Sequence, residues 1–324
     1  FGGVQATPGA VDAAKSAVAI YGGYFTSDPS SYVADGYITV ISDKEDYSYM
    51  VEEKTETDVP VEPEIQKPSV PEDLPDSIPS DSQEAVKEAA KGIEVPELEA
   101  AAATEANSIT KDQAAAIKAE SNLKDDENAK VEVQAYLKIE PQGYDVGQTY
   151  TLDITPVYDL VVTSNTAGAQ NDVIKKEQPL SIHGKTTVSI PLPEGFVNEA
   201  QDVYVQHKGY EYEAQVKAAG EQPSTTYIAT FTNPHGFSAF TVTKESAAVA
   251  EVNGNRYTSF QDAVDAAGDK ATVEVLKNEN LTATMSGSSR TITVKNGAGE
   301  SITVTINGTT KTIEENASVD FTYT

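Results

Sequence analysis

Apolar and polar positions alternate in twos over much of this chain. Val131, Val133 and Ala135 lie one way, and Glu132, Gln134 and Tyr136 the other. Leu152 with Ile154, Val188 with Ile190, Val203 with Val205, Ile228 with Thr230, and Phe240 with Val242 repeat the pattern. A period of two is that of a strand with one face buried. Gly, Pro or Asn interrupts the runs about every 8–12 residues, so residues 124–245 read as an antiparallel sandwich of about eight strands. Lys208-Gly209 sits between two runs as a hairpin turn.

The period changes after residue 248. Asn253-Gly254 predicts a second hairpin, and Thr258 with Gln261 a capping pair at a helix start. Phe260, Ala263, Val264 and Ala267 then recur at i, i+3, i+4 and i+7, giving one apolar helix face that Gly268 ends. Val273 and Val275 open a strand. Two strand-plus-turn stretches, 291–297 and 301–308, nearly repeat each other, as in a β-meander or the coils of a β-solenoid.

The first half is less regular. Residues 1–51 are rich in Gly, Tyr and Ser, with short strands expected over 18–21 and 37–41 and a helix over 10–19. In 52–79, Pro60, Pro63, Pro68, Pro71, Pro75 and Pro79 are interleaved with carboxylates. Proline fixes φ and lacks a donor, so this stretch is expected to join no sheet and to act as an extended spacer of roughly 3 Å per residue. Residues 80–123 turn helical, with capping boxes at Ser80/Gln83 and Thr110/Gln113, alanine runs, and a narrow stripe of Ala115, Ile117 and Leu123. Such short helices need a neighbouring module to dock on.

Charge removes several function classes. Against 51 acidic residues stand 23 basic ones, and the only arginines are Arg256 and Arg290. Phosphate binding needs clustered Lys and Arg, so no nucleic acid is expected as a partner. No run of apolar residues is long enough to span a bilayer, so no membrane insertion is expected within the segment. The absence of cysteine removes disulfides, thiolate nucleophiles and cysteine-held zinc. Acidity, abundant Thr and Tyr, and no Trp fit an exported Gram-positive protein. The chain opens on Phe1 and closes on a strand-like Asp320–Thr324, the pattern expected of a piece of something longer.

Three stretches resemble a known kind of protein. Gly22-Gly-Tyr-Phe-Thr-Ser-Asp-Pro-Ser-Ser-Tyr-Val-Ala-Asp-Gly-Tyr37 resembles the closing segment of parallel β-helix regions in large surface proteins of Gram-positive gut bacteria. The stretch 249–276 is similar to the unit that opens such solenoids. Val188-Ser-Ile-Pro-Leu-Pro-Glu-Gly-Phe196 and Phe231-Thr-Asn-Pro-His-Gly-Phe-Ser-Ala-Phe-Thr-Val242 look like an immunoglobulin-like β-sandwich of the same adhesin-like proteins. The resemblance implies an exported protein that presents modules on a stalk.

Candidate chemistry is sparse. Of the three histidines, His183 and His235 fall in turns and His207 shares the side of Val203 and Val205 at a strand end. No nucleophile elbow, HExxH helix or calcium loop accompanies them. Asp125-Asp-Glu-Asn128 reads as capping or solvation where a helix gives way to a strand. A β-helix polysaccharide lyase would need a basic residue and calcium carboxylates along a groove, and residues 1–51 hold no arginine. One binding surface suggests itself: Tyr204, with Tyr210 and Tyr212 across the hairpin, as an exposed aromatic platform for sugar rings or a protein partner.

The expectation is therefore a mainly β, multidomain chain. It comprises a β-helix terminal segment (1–51), a Pro/Glu linker (52–79), short helices (80–123), an immunoglobulin-like sandwich (124–245) and a small α+β or solenoid-start module (248–324). Its expected role is a non-catalytic extracellular structural or adhesive segment, cell-surface or wall associated, using no cofactor or metal. Host or neighbour-cell glycans or proteins are the expected partners. The second reading is a carbohydrate- or host-protein-binding sandwich, and the third a polysaccharide-cleaving enzyme.

Overall fold

The computed structural model describes residues 19–34, 37–42, 44, 46–53, 59–219 and 226–324. Across them the chain is mainly β, with several sheets, no closed barrel and four α-helices: α1 (Gln83–Lys91), α2 (Glu97–Ser108), α3 (Lys111–Glu120) and α4 (Phe260–Ala266). It divides into two compact units, each assembled from separated stretches. One takes 1–66, 97–136 and 156–182; the other takes 67–96, 137–155 and 183–324.

The first unit holds two sheets. β1 (Gly23–Phe25), β2 (Tyr37–Ile41) and β3 (Tyr49–Glu53) pair antiparallel in the order β1-β3-β2. The helix expected over 10–19 falls outside the described residues apart from Ala19, and of the strand expected over 18–21 only an isolated bridge, Ile20 to Val33, is seen. The second sheet runs β7-β6-β5-β4, from β4 (Val61–Ile65), β5 (Ala129–Asp145), β6 (Thr149–Ser164) and β7 (Asp172–Pro179). The stretches 129–136 and 156–164 of β5 and β6 belong to this unit. Val131, Val133, Leu160 and Val162 point into a core closed by Ala106 of α2 and Ala114 of α3. α3 starts on the expected capping box, Thr110 with Gln113. Its inward residue is Ala114 rather than Ala115, which is exposed.

Strand β4 overturns one expectation. The proline-rich stretch does join a sheet: Val61 to Ile65 lie parallel to Val131 to Ala135. Ladder bonds run from Val131 N to the Pro60 carbonyl and from Gln66 N to the Ala135 carbonyl, both 2.8 Å. Even-numbered residues of β4 therefore face β5. Pro63, in odd register at the edge, turns its missing N–H away from the ladder, a position in a sheet where proline is tolerated.

In the second unit, strands β8 (Thr186–Leu192), β9 (Val203–His207), β10 (Tyr210–Ala218), β11 (Tyr227–Asn233) and β12 (Ala239–Thr243) are formed. The predicted alternation holds in β8, β9 and β12, whereas β11 buries Tyr227, Ala229 and Phe231 in place of the expected Ile228 and Thr230. Lys208 and Gly209 at φ 50° and 82° form the predicted two-residue turn. A Cβ on Gly209 would also lie 3.0 Å from the Asp262 carboxylate. β10 changes sheet partway. Tyr210 to Ala214 pair with β9, and Gln215 to Ala218 with β11. Helix α1 packs against β8, with Val86 and Ala90 fully buried and Glu94 bridging to Ser189. The capping box expected at Ser80/Gln83 does not form. Ser82 N bonds the Pro79 carbonyl in a preceding turn, and helical bonding begins at the Ser82 carbonyl, without a side-chain cap.

The remaining strands are β13 (Ala250–Val252), β14 (Asn255–Tyr257), β15 (Thr272–Val275), β16 (Thr282–Ala283), β17 (Arg290–Asn296), β18 (Ile302–Ile306), β19 (Thr309–Ile313) and β20 (Ser318–Tyr323). Hairpin β13–β14 turns on Asn253-Gly254 as predicted. The cap of α4 is one residue later than expected: Ser259, in extended conformation, accepts from Asp262 N. Thr258 is instead committed to the Gly209 carbonyl and Gln261 to Thr284. The near-repeats do not pair with each other. β15 and β17 pair in parallel, as do β16 and β18, so the chain winds through two stacked coils with Thr272 beside Thr293 and Thr282 beside Thr305. β19 and β20 then lie antiparallel on β18 and β17. Phe260, Val264, Val273, Ile292, Val304 and Phe321 fill the core between. Each such side chain removed from water is worth roughly 1.5–3 kcal/mol.

Candidate functional site

Two places gather side chains with chemical potential, one in each unit. In the second unit the β9–β10 hairpin fixes which residues share a face. Tyr210 lies opposite His207 and Tyr212 opposite Val205, whereas Tyr204 lies opposite Glu213. Directly opposed residues point the same way, so Tyr210 and Tyr212 are on the inward face and Tyr204 is on the other. The hairpin thus brings two of the three predicted tyrosines together. Tyr204 stands beneath the Arg256 guanidinium, 5.3 Å from its ring centre.

Tyr210 and Tyr212 are engaged within the fold. The His235 ring stacks on Tyr210 at 3.7 Å, and Tyr212 stacks on Phe231 at 5.5 Å. Tyr212 Oη lies 2.5 Å from His235 Nδ1. Burial pushes the Tyr212 phenol well above its ordinary pKa, so it keeps its proton and donates to the imidazole. Lys208 Nζ donates to the His235 carbonyl at 2.9 Å. His207 is deeper, 2% exposed, and stacks on Phe240 at 4.0 Å. Its Nδ1 lies 2.9 Å from the Ala239 carbonyl, which only accepts, so the neutral ring carries its proton on Nδ1. Nε2 is buried and finds no partner among the described residues. Burial, with Lys208 adding, holds the His207 pKa below the ordinary value; burial, His207 and Lys208 do the same for His235. Ser238 Oγ lies 3.5 Å from the Nδ1 of His207, whose proton the nearer Ala239 carbonyl accepts, so that nitrogen offers the serine no base. The neutral stacked rings serve packing.

The other candidates fall apart in space. His183 is exposed in the irregular stretch before β8. Asp126 of the acidic run accepts from Ser164 Oγ (2.8 Å), Asn128 N (2.8 Å) and Thr166 Oγ1 (3.1 Å), bonds that lower its pKa. Asp126 thus pins its own turn to the 164–166 loop, a structural tie in place of the expected capping or solvation. Among the described residues no group of three His, Asp or Glu is placed to hold a metal, and no helix is long and apolar enough to cross a membrane.

The place the sequence reasoning passed over is in the first unit. A cleft of about 430 Å³ opens between β2, the 28–34 loop and the last turn of α2. Tyr37 and Tyr49 line it with Thr39, Asp28, Glu105 and Asn107. Register puts Tyr37, Thr39 and Tyr49 on one sheet face. Tyr21, 66% exposed, meets Tyr37 edge-on at 5.4 Å, and Lys44 Nζ lies 3.7 Å over the ring of Tyr24. Tyrosine density in 21–49 was the only local signal. The helix that forms the far wall comes from a distant part of the chain.

Comparison with protein-family models, characterised proteins and solved structures gives no match, so the functional argument rests on the geometry of the chain itself.

Proposed function

We propose that the chain is a non-catalytic extracellular segment of an adhesin-like bacterial surface protein, a spacer that projects neighbouring regions away from the cell. In this reading residues 124–245 are an immunoglobulin-like sandwich, 248–324 a short capped solenoid, and the N-terminal part the end of a β-helix. One observation carries it. In the second unit a single hydrogen-bonded sheet runs β20-β17-β15-β13-β14-β10-β9-β12-β6-β5, with no hinge between sandwich and coils. The junction is backbone pairing, Tyr210 to Tyr257 and Glu211 to Arg256. A sheet that continues through a module boundary gives rigidity over a distance of roughly 4.8 Å per strand, which suits a spacer.

Limited proteolysis of the native chain tests this. The 244–249 connection is expected to resist cleavage until global unfolding, and 183–324 to melt in one transition. Rapid cutting there with two separate transitions would refute a continuous spacer. Release of reducing or unsaturated sugar from a polysaccharide would refute the non-catalytic assignment.

A further inference from the structure

We propose that the cleft of the first unit is a binding subsite for an uncharged oligosaccharide. Its volume, about 430 Å³, lies within the range of small-molecule sites and accommodates roughly one or two sugar rings. Its lining combines the two things a sugar requires. Tyr37 and Tyr49 present aromatic surface from one sheet face, against which the C–H face of a pyranose packs. Asp28, Glu105 and Asn107 supply acceptors and donors for hydroxyl groups.

Two details point to a ligand. The Thr39 hydroxyl lines the cleft, is buried, and has no hydrogen-bond partner among the described residues. Rotation about its Cα–Cβ bond turns that hydroxyl toward the cleft, where a ligand hydroxyl would give it the partner it lacks. Glu105 is also held in place, since Tyr158 donates to one of its oxygens at 2.7 Å. Charge selects among sugars. Among the described residues the lining carries two carboxylates and no Lys, Arg or His, so uronic acids, sialic acids and phosphorylated sugars are repelled.

The site is independent of the spacer reading, because it uses none of the second unit's sheet. Saturation-transfer NMR and calorimetry on the full chain, with maltotriose, cellotriose, chitotriose, mannotriose and lactose as probes, test it. At least one probe is expected to bind with Kd near or below about 1 mM. Tyr37→Ala should weaken that binding about tenfold. Asn107→Trp, which fills the cleft from an exposed helix position without touching the core, should abolish it. Val146→Ser, at an exposed position of the other unit, should leave it unchanged. Circular dichroism melts establish that each variant is folded. A silent panel would overturn the proposal. So would binding that survives Asn107→Trp, or a peptide ligand that contacts the cleft in place of sugar.

Discussion

Glu211 and Arg256 face each other across the seam between β10 and β14, their charged atoms 3.3 Å apart, with the glutamate side chain 0% exposed. The carboxylate is fully subscribed. It also accepts from Ser246 Oγ at 2.7 Å and Ala247 N at 2.5 Å, which pins the connection leading into the C-terminal coils. Removing only Arg256 strands a buried charge, and breaking a buried pair in that way costs about 3 kcal/mol. Arg256→Ala should therefore destabilise strongly. Glu211→Gln, which removes the buried charge and keeps one acceptor oxygen, for Ala247 N or Ser246 Oγ but not both, should cost about half as much. Chemical denaturation of both single variants and the double variant measures the coupling, and additive costs would show that the pair does not act as a unit.

His207 and His235 predict the acid response. Their pKa values are depressed, chiefly by burial, so the unfolded chain takes up protons first as pH falls below the ordinary histidine value near 6.5. Stability from these rings is present above that pH and is lost as pH drops toward the folded pKa values, by at most about 1.4 kcal/mol per pH unit for each ring. His207→Phe retains the stack on Phe240 and removes one titrating ring. Its melting temperature should fall less steeply than that of the parent between pH 7 and 5. Parallel curves would exclude His207 as a contributor.

What the sequence made legible was what period and turn chemistry control. The alternation of Val131 and Val133, the hairpins at Lys208-Gly209 and Asn253-Gly254, and the buried face of α4 all lie where local pattern places them. The misreadings share a cause: composition was used where register decides. The missing donor of Pro63 excludes it from a sheet only where register demands that donor, and an edge strand in odd register never does. Tyr204 was grouped with Tyr210 and Tyr212, although a two-residue turn puts it opposite Glu213 and so on the other face. The tyrosine cleft depends on α2 meeting β2, a long-range contact that no local period encodes.

The proline stretch yields a direct contrast between tether and strand. Gln66 N is bonded to the Ala135 carbonyl, and Ser69 N to the Leu137 carbonyl, each at 2.8 Å. In hydrogen–deuterium exchange these two amides should be protected to nearly the level of β5 itself, because paired strands open together. Exchange at the rate of an unstructured peptide would mean that the stretch is a free spacer after all.

The two Asn-Gly turns that end the near-repeats look interchangeable in sequence and do different work. Asn296 is fully buried. Its Nδ2 donates to the carbonyls of Glu300 (2.7 Å) and Ile313 (2.9 Å), and its Oδ1 accepts from Ala298 N (3.0 Å). It thereby ties the second coil to β19. Asn307 is exposed and adopts φ 50° in a hairpin turn; its Oδ1 accepts from Met285 N at 2.9 Å and its Nδ2 donates to the Met285 carbonyl at 3.2 Å. Asn296→Ala leaves buried polar groups without partners and should cost about 3 kcal/mol. Asn307→Ala loses two part-buried bonds to Met285 and a residue tolerant of positive φ, and should cost about 1–2 kcal/mol. Denaturant melts of the two variants compare them directly. Equal losses would mean that the side chain of Asn296 does not hold the coils together.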